Sequence, residues 1–258
     1  MNILSIKSNY DGQDGGFVTA LTTYCLKEGI LDAVVVVGAN NWKPYPFIAT
    51  KPEDILKASK SKYSISPNNK LLEYATENYD NVGLVGVPCQ ILGGNKFDLK
   101  MKIGLFCTKN FPYDAIKNIV DGLGIPIDRV EKMDIKKGKF IVKTSEIENL
   151  IKKKEMVKEI PIKEIEKFAN PACRLCCDFS AEYADISVGS VGSEDGWNTV
   201  IIRNNNCKKI IDEMHEKGLV EIKLDVDVNA IQKLENIKKR NQEINKCSAY
   251  YAVCPYIF

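Results

Sequence analysis

Three cysteines stand within five positions in the stretch Asn170-Pro171-Ala172-Cys173-Arg174-Leu175-Cys176-Cys177-Asp178-Phe179-Ser180. Reduced thiols at CxxC spacing bind metal or do redox chemistry more often than they form structural disulfides. The next residues, Ala181-Glu182-Tyr183-Ala184-Asp185-Ile186-Ser187-Val188-Gly189-Ser190-Val191-Gly192-Ser193, read as a strand running into a loop of small residues. Such a loop exposes backbone N–H groups to a phosphate. A sulfur-rich site beside an anion-cradling loop predicts electron transfer through an iron–sulfur cluster and a nucleotide-like cofactor.

Nine cysteines occur in all. Cys89 follows the buried strand Asn81–Val87 and Cys107 follows Lys102–Phe106. If these strands lie parallel in one sheet, both thiols emerge at the edge where open α/β sheets bind ligands. Cys89, Cys107, Cys173 and Cys176 then form a four-thiolate candidate that suits structural zinc or a 4Fe-4S cluster equally by count. The bland alternative makes Cys89 and Cys107 small buried hydrophobes. Cys177 reads as a packing neighbour or a substitute for Cys176. Cys25 and Cys207 fall on apolar helix faces and read as core, and Cys247 and Cys254 fit no pattern. His215 is the sole histidine and reads as a solvated surface residue, so Cys–His or Ser–His catalysis has one weak candidate.

At 258 residues the chain can bury a real core in one large unit or two modest ones, with a possible boundary near 125–132. A first part, residues 1–125, would hold the two strand-end cysteines and a second, 126–258, the CxxC loop and the phosphate loop, together one compact unit. The formal net charge of +2 gives no reason to expect nucleic acid. The opening Met1–Lys7 is too short and polar for a signal peptide, and the longest apolar run, Ala33–Val37, cannot span a bilayer. A cytoplasmic protein without a transmembrane segment is expected.

The elements that must position these residues alternate in an α/β pattern with mixed α+β character. Asp14-Gly15-Gly16 precedes a helix whose apolar face is Phe17, Ala20, Leu21, Tyr24 and Cys25, closed at Gly29. That junction is either a phosphate site at the helix N-terminus, with Thr19, or an ordinary cap. Asp32–Val37 reads as a buried strand and Thr50-Lys51-Pro52-Glu53 as a capping box opening a helix to about Lys60. Lys62–Asn68 is a polar loop, and 71–79 and 112–120 are helical. Met133–Ile135 and Lys139–Thr144 form a hairpin around Lys136-Lys137-Gly138. The lysine-rich 147–167 is ambiguous between helix and strand. Strands at 197–203 and 219–224 alternate with helices through Cys207–Met214 and 230–242.

Assembled in order, the chain resembles the coenzyme F420 hydrogenase/dehydrogenase beta-subunit family over nearly its whole length. The resemblance rests on Gln13-Asp14-Gly15-Gly16-Phe17-Val18-Thr19, on Lys62-Tyr63-Ser64-Ile65-Ser66-Pro67-Asn68, and on Gly86-Val87-Pro88-Cys89-Gln90. It continues through Gly104–Cys107 with Asn110–Tyr113, through Met133–Ile135 with Gly138–Phe140, and through the long block from Cys173 to Trp197. It implies FAD, one 4Fe-4S cluster and coenzyme F420 as the deazaflavin substrate. By the same resemblance the cluster ligands are Cys89, Cys107, Cys173 and Cys176. The flavin contacts fall at Gly15, Gly16, Val18 and Thr19, at Lys62, Tyr63, Ser64, Ser66 and Asn68, and at Ser187, Ser190, Val191, Gly192 and Ser193. A hydrogenase, formate dehydrogenase or similar electron-transfer partner in a hetero-oligomer is implied, in a setting such as methanogenesis.

A reduced deazaflavin releases two electrons as a hydride, whereas a cluster accepts one, so a flavin between them is the natural converter. The chemistry is flavin-centred and requires no catalytic side chain. Lys136–Lys139 and Lys152–Lys154 would steer the acidic coenzyme or form a solvated charged face. Two competing readings remain: a ferredoxin-linked flavin/iron–sulfur reductase with another substrate, and a zinc-stabilised interaction module without catalysis.

Overall fold

The computed structural model of the chain describes residues 2–149 and 152–253. Its main sheet has eight strands in the order β11-β1-β10-β9-β5-β4-β2-β3. The strands are β1 (Asn2–Ser8), β2 (Ala33–Asn40), β3 (Lys43–Ala49), β4 (Val82–Gly86), β5 (Met101–Leu105), β9 (Ile186–Gly189), β10 (Asn198–Ile202) and β11 (Val220–Lys223). The inner strands β2, β4, β5 and β9 run parallel, as expected for β4 and β5, while β3, β10, β1 and β11 each join antiparallel to their neighbours. The fold class is α/β.

Valine-rich β2 shows why this sheet is covered on both faces. Side chains alternate along a strand: Val34 and Val36 enter one cluster with helix α1 (Phe17–Lys27), while Val35 enters another with Leu72, Ala75 and Ile91. The latter belong to α3 (Leu72–Asn78) and α4 (Pro88–Gly94), which follow the short α2 (Pro52–Lys57). Helix α7 (Asn205–Glu216) adds Cys207, Ile211 and Met214 to the first cluster. Cys25 and Cys207 are both buried there, as their spacing predicts.

Between β5 and β9 the chain leaves the main sheet. It forms α5 (Tyr113–Gly122) and a three-stranded antiparallel sheet of β6 (Val130–Lys136), β7 (Lys139–Asn149) and β8 (Lys152–Pro161), followed by the one-turn α6 (Ile162–Ile165). The predicted hairpin turns at Lys137 (φ 50) and Gly138 (φ 75), the positive-φ pair that a tight hairpin needs. Phe111, Ile116, Val120, Met133, Phe140 and Val142 give this part its own core. The main sheet draws strands from both sides of residue 125.

Several elements differ from expectation. Strand β1 escaped notice because Asn2–Ser8 mixes polar and apolar residues. Strand β3 carries Pro44 and Pro46, which argue against a central strand but suit this edge position. Helix α2 is shorter than predicted and is capped at Lys51, without a side-chain cap, so the Thr50–Glu53 capping box does not form. The ambiguous lysine-rich stretch resolves into the end of β7, β8, α6 and a 3-10 turn, with 150–151 outside the described residues. The last helix, α8, runs Val228–Val253, well past the predicted end. Cys247 lies on it without a described side chain, and Cys254 is outside the described residues. Among the described residues no helix is long and apolar enough to cross a membrane.

Helix α1 starts from a distant cap. Gly16 adopts φ +67, and the Phe17 N–H donates to Oδ1 of Asn198 on β10 at 3.1 Å. Replacing Asn198 with alanine removes a buried cap across the sheet, and a loss of about 1 kcal/mol is expected, within the usual 0.5–2 range. A lowered urea midpoint with an unchanged slope is the check.

Candidate functional site

Strand direction decides what gathers at one edge. The C-terminal ends of β4, β5 and β9 lie on the same side of the sheet, and β1 runs in the same sense beyond β10. From these ends the chain enters four segments: Val87-Pro88-Cys89, Phe106-Cys107, Ser190–Ser193, and the turn to Gly15-Gly16. Adjacent strands stand about 4.8 Å apart. The cysteine-bearing and small-residue segments are therefore neighbours along that edge. The CxxC loop returns to the same edge just before β9.

Hydrogen bonds tie the CxxC loop to the Cys107 segment. Cys107 N donates to Phe179 O at 3.0 Å, and Asn170 N donates to Asn110 O at 2.8 Å. The Asn170 side chain accepts from Ala172 N at 3.1 Å and holds the 3-10 turn that presents Cys173. Burial pushes the Cys107 thiol up to about 12; Lys238 pulls it down, and Cys173, Cys89 and Cys176 push it further up. The thiol of Cys89, on the exposed first turn of α4, is raised by desolvation first and by Cys176 and Cys173 next. All four predicted ligands thus sit within each other's electrostatic reach. Among the described residues, no three Cys, His, Asp or Glu side chains converge tightly enough to hold a single ion. Tetrahedral zinc draws its sulfurs to within about 4 Å of one another. A cluster bonds each thiolate to a different iron, and four cysteines match that count.

The Lys62–Asn68 loop spans the gap between the cysteines and the N-terminal turn. At one end Ser61 N donates to Gln13 Oε1 at 3.1 Å, and Tyr63 (φ 56) donates its hydroxyl to Asp134 at 3.1 Å. At the other end Asn68 Nδ2 donates to Val85 O at 3.1 Å, and Gln90 Nε2 donates to Ser66 O at 2.7 Å. Cys89 lies beside Gln90 in a cavity of about 220 Å³ that is also lined by Ser66, Asn68 and Asn69. Ser64 Oγ, Ser66 Oγ and Asn68 Oδ1 are buried without a hydrogen-bond partner. Native proteins rarely leave such groups unpaired, and a bound polar ligand is one explanation. Three of the five predicted flavin contacts on this loop therefore fit a polar cofactor. Lys62 differs: its ammonium donates to the carbonyls of Ala58, Ser59 and Lys60, and burial lowers it to about 8.

The remaining candidates lie near Asn198. A Cβ on Gly15 would stand 2.6 Å from Ile6 O and 2.8 Å from Asn198 N, so only glycine lets the chain pass the sheet there. Val18 and Thr19 occupy the first turn of α1. Ser193 and Thr199 hydroxyls are hydrogen-bonded at 2.6 Å, and Gly192 (φ 99) accepts from Asp227 N at 2.8 Å. Ser190 and Val191 lead into that turn from β9. Ser187 is fully buried in β9; its hydroxyl donates to Ala181 O and accepts from Arg203. Asp14 is raised by burial and by nearby Asp134. His215 is exposed, with Nδ1 3.0 Å from Val220 O.

Four residues that organise this edge carried no role in the sequence reading: Gln13, Gln90, Asn198 and Lys238. Gln13 and Gln90 lie inside motifs that could have flagged them. Asn198 and Lys238 act across long sequence separations, with no local signal.

Comparison with known proteins identifies the class to which this arrangement belongs. Residues 5–73 match the N-terminal family model described as coenzyme F420 hydrogenase/dehydrogenase, beta subunit, and residues 79–243 match its C-terminal counterpart. The chain belongs to the coenzyme F420 hydrogenase/dehydrogenase beta-subunit family. It is 66% identical to an uncharacterized protein of Methanocaldococcus jannaschii, with 100% of each chain covered. It is 37% identical to the coenzyme F420-dependent sulfite reductase of that organism, over 97% of this chain and 43% of that protein. A chain of the F420-reducing [NiFe] hydrogenase complex from Methanosarcina barkeri superposes with a TM-score of 0.86 at 34% identity, over 95% of this chain and 90% of that one.

Proposed function

We propose that this chain is the coenzyme F420-linked electron-transfer subunit of a larger redox enzyme, holding FAD and one 4Fe-4S cluster. The observation that carries this reading is the meeting of Cys89, Cys107, Cys173 and Cys176 beside a loop with three unpaired buried polar atoms. The four cysteines would hold the cluster. Gly15, Gly16, Val18, Thr19, Tyr63, Ser64, Ser66, Asn68 and the Ser190–Ser193 turn would line the flavin, while Lys62 and Ser187 support the backbone around it. Bound there, the flavin would exchange a hydride with coenzyme F420 and single electrons with the cluster. The chain's own work is orientation. Asn198 and Gln13 lock the N-terminal turn, and Gln90 fixes the Ser66 backbone beside Cys89.

The partner is a hydrogenase, formate dehydrogenase or similar electron-transfer subunit in a cytoplasmic hetero-oligomer. The likeness to a chain of a hydrogenase complex supports this, as does the likeness to part of a longer coenzyme F420-dependent sulfite reductase. Protein purified without oxygen is expected to contain about four irons per chain and one equivalent of FAD, and to bleach in the visible when mixed with reduced coenzyme F420. Stoichiometric zinc with neither iron nor flavin would leave the zinc-module reading standing instead.

A further inference from the structure

Helix α8 crosses the cysteine loop and grips it along one face. Glu235 accepts from Ser180 Oγ at 2.6 Å, Lys239 pairs with Glu182 at 3.4 Å, Gln242 Nε2 donates to Leu175 O at 2.9 Å, and Asn245 Nδ2 donates to Arg174 O at 3.1 Å. Their spacing keeps them on one helical stripe. Lys238 lies in the middle of that stripe. Its ammonium donates to Cys107 O and to Asp178 O, both at 2.6 Å. One bond reaches the segment after β5 and the other reaches the CxxC loop, so a single side chain clamps two of the three segments that supply the thiols.

Lys238 is also buried, at 8% exposure. Lysine is almost never so buried without a compensating partner. Its two described bonds go to carbonyls; the Asp178 carboxylate accepts instead from Glu182 N at 3.1–3.2 Å. The carboxylates of Asp178, Glu182 and Glu235 surround this region without bonding the ammonium. A positive charge is thus fixed against the backbone of one thiol-bearing residue. Reduction adds one negative charge to a site that already carries four thiolates. A nearby fixed cation in a poorly screened interior favours that added charge, and net charge is one of the levers on cluster potential.

We propose that Lys238 is a positioning and tuning residue that raises the reduction potential of the cluster by holding its charge at the Cys107–Asp178 junction. The inference rests on the cluster reading of the four cysteines. The test is a dithionite titration of the reconstituted holoprotein, followed by electron paramagnetic resonance. Lys238→Met is expected to shift the midpoint to a more negative potential, and Lys238→Arg to keep it near the unsubstituted value. Lys239→Met removes the same formal charge from the neighbouring exposed pair and should leave the midpoint in place. Should Lys238→Met empty the site while Lys238→Arg fills it, Lys238→Gln is titrated in its place, with the same negative shift expected. An iron-replete Lys238→Met with an unchanged midpoint overturns the inference, as does loss of iron in both the Met and Arg variants. Unsubstituted protein that takes up no iron overturns the cluster reading itself.

Discussion

Cys107→Ser protein, reconstituted without oxygen, is expected to hold almost no iron, against about four per chain for the unsubstituted protein. A hard hydroxyl is a poor replacement for a soft thiolate. Cys107, one of the four proposed ligands, is held by Phe179 O on its amide and by Lys238 on its carbonyl. Cys89→Ser, Cys173→Ser and Cys176→Ser should behave alike, while Cys25→Ser and Cys177→Ser keep the iron. The Cys176/Cys177 contrast is the sharp part, because Cys176 is among the groups that raise Cys89 and Cys107. A full cluster spectrum in Cys107→Ser would reduce the strand-end cysteines to packing residues. Iron retained in Cys176→Ser but lost in Cys177→Ser would exchange the roles of that pair.

The second large effect separates two half-reactions. Cys173→Ala is expected to keep flavin reduction by reduced coenzyme F420 if the flavin is retained, yet to lose nearly all transfer to a one-electron acceptor that draws on the cluster. Electron counting sets the order, since a hydride donor delivers a pair and the cluster takes electrons singly. The structure supports independent loss: the orphaned Ser64, Ser66 and Asn68 and the Gly15 turn belong to segments other than the Cys173 loop. Rapid-mixing absorbance can follow the deazaflavin and flavin bands apart. Cluster reduction ahead of any flavin change, or full-rate oxidation of the coenzyme by flavin-free protein, would refute the relay.

Much of the candidate site was legible because its chemistry is carried by residue type at short spacing. CxxC, the small residues after Ser187 and the strand-end positions of Cys89 and Cys107 are all local signals. The parallel pairing of β4 and β5 confirmed the last of these. What stayed hidden depends on tertiary distance. Asn198 caps a helix that begins 181 residues earlier in the chain. Lys238 reads as one more solvated lysine until its burial is seen. Strand β3 was obscured by its prolines and β1 by its mixed polarity. The Thr50–Glu53 capping box failed because the helix begins one residue later than that pattern requires.

The two borders of the main sheet limit how this chain can meet another. One border, β3, places Pro44 and Pro46 opposite Ala39 and Val37 while its ladder to β2 remains continuous. The amide hydrogens that prolines lack are therefore missing from the outward side, where an incoming strand would need them. The other border, β11, is only four residues long. Neither rim is a good template for strand addition. Extension of the main sheet by a strand from another chain is thus disfavoured at both ends.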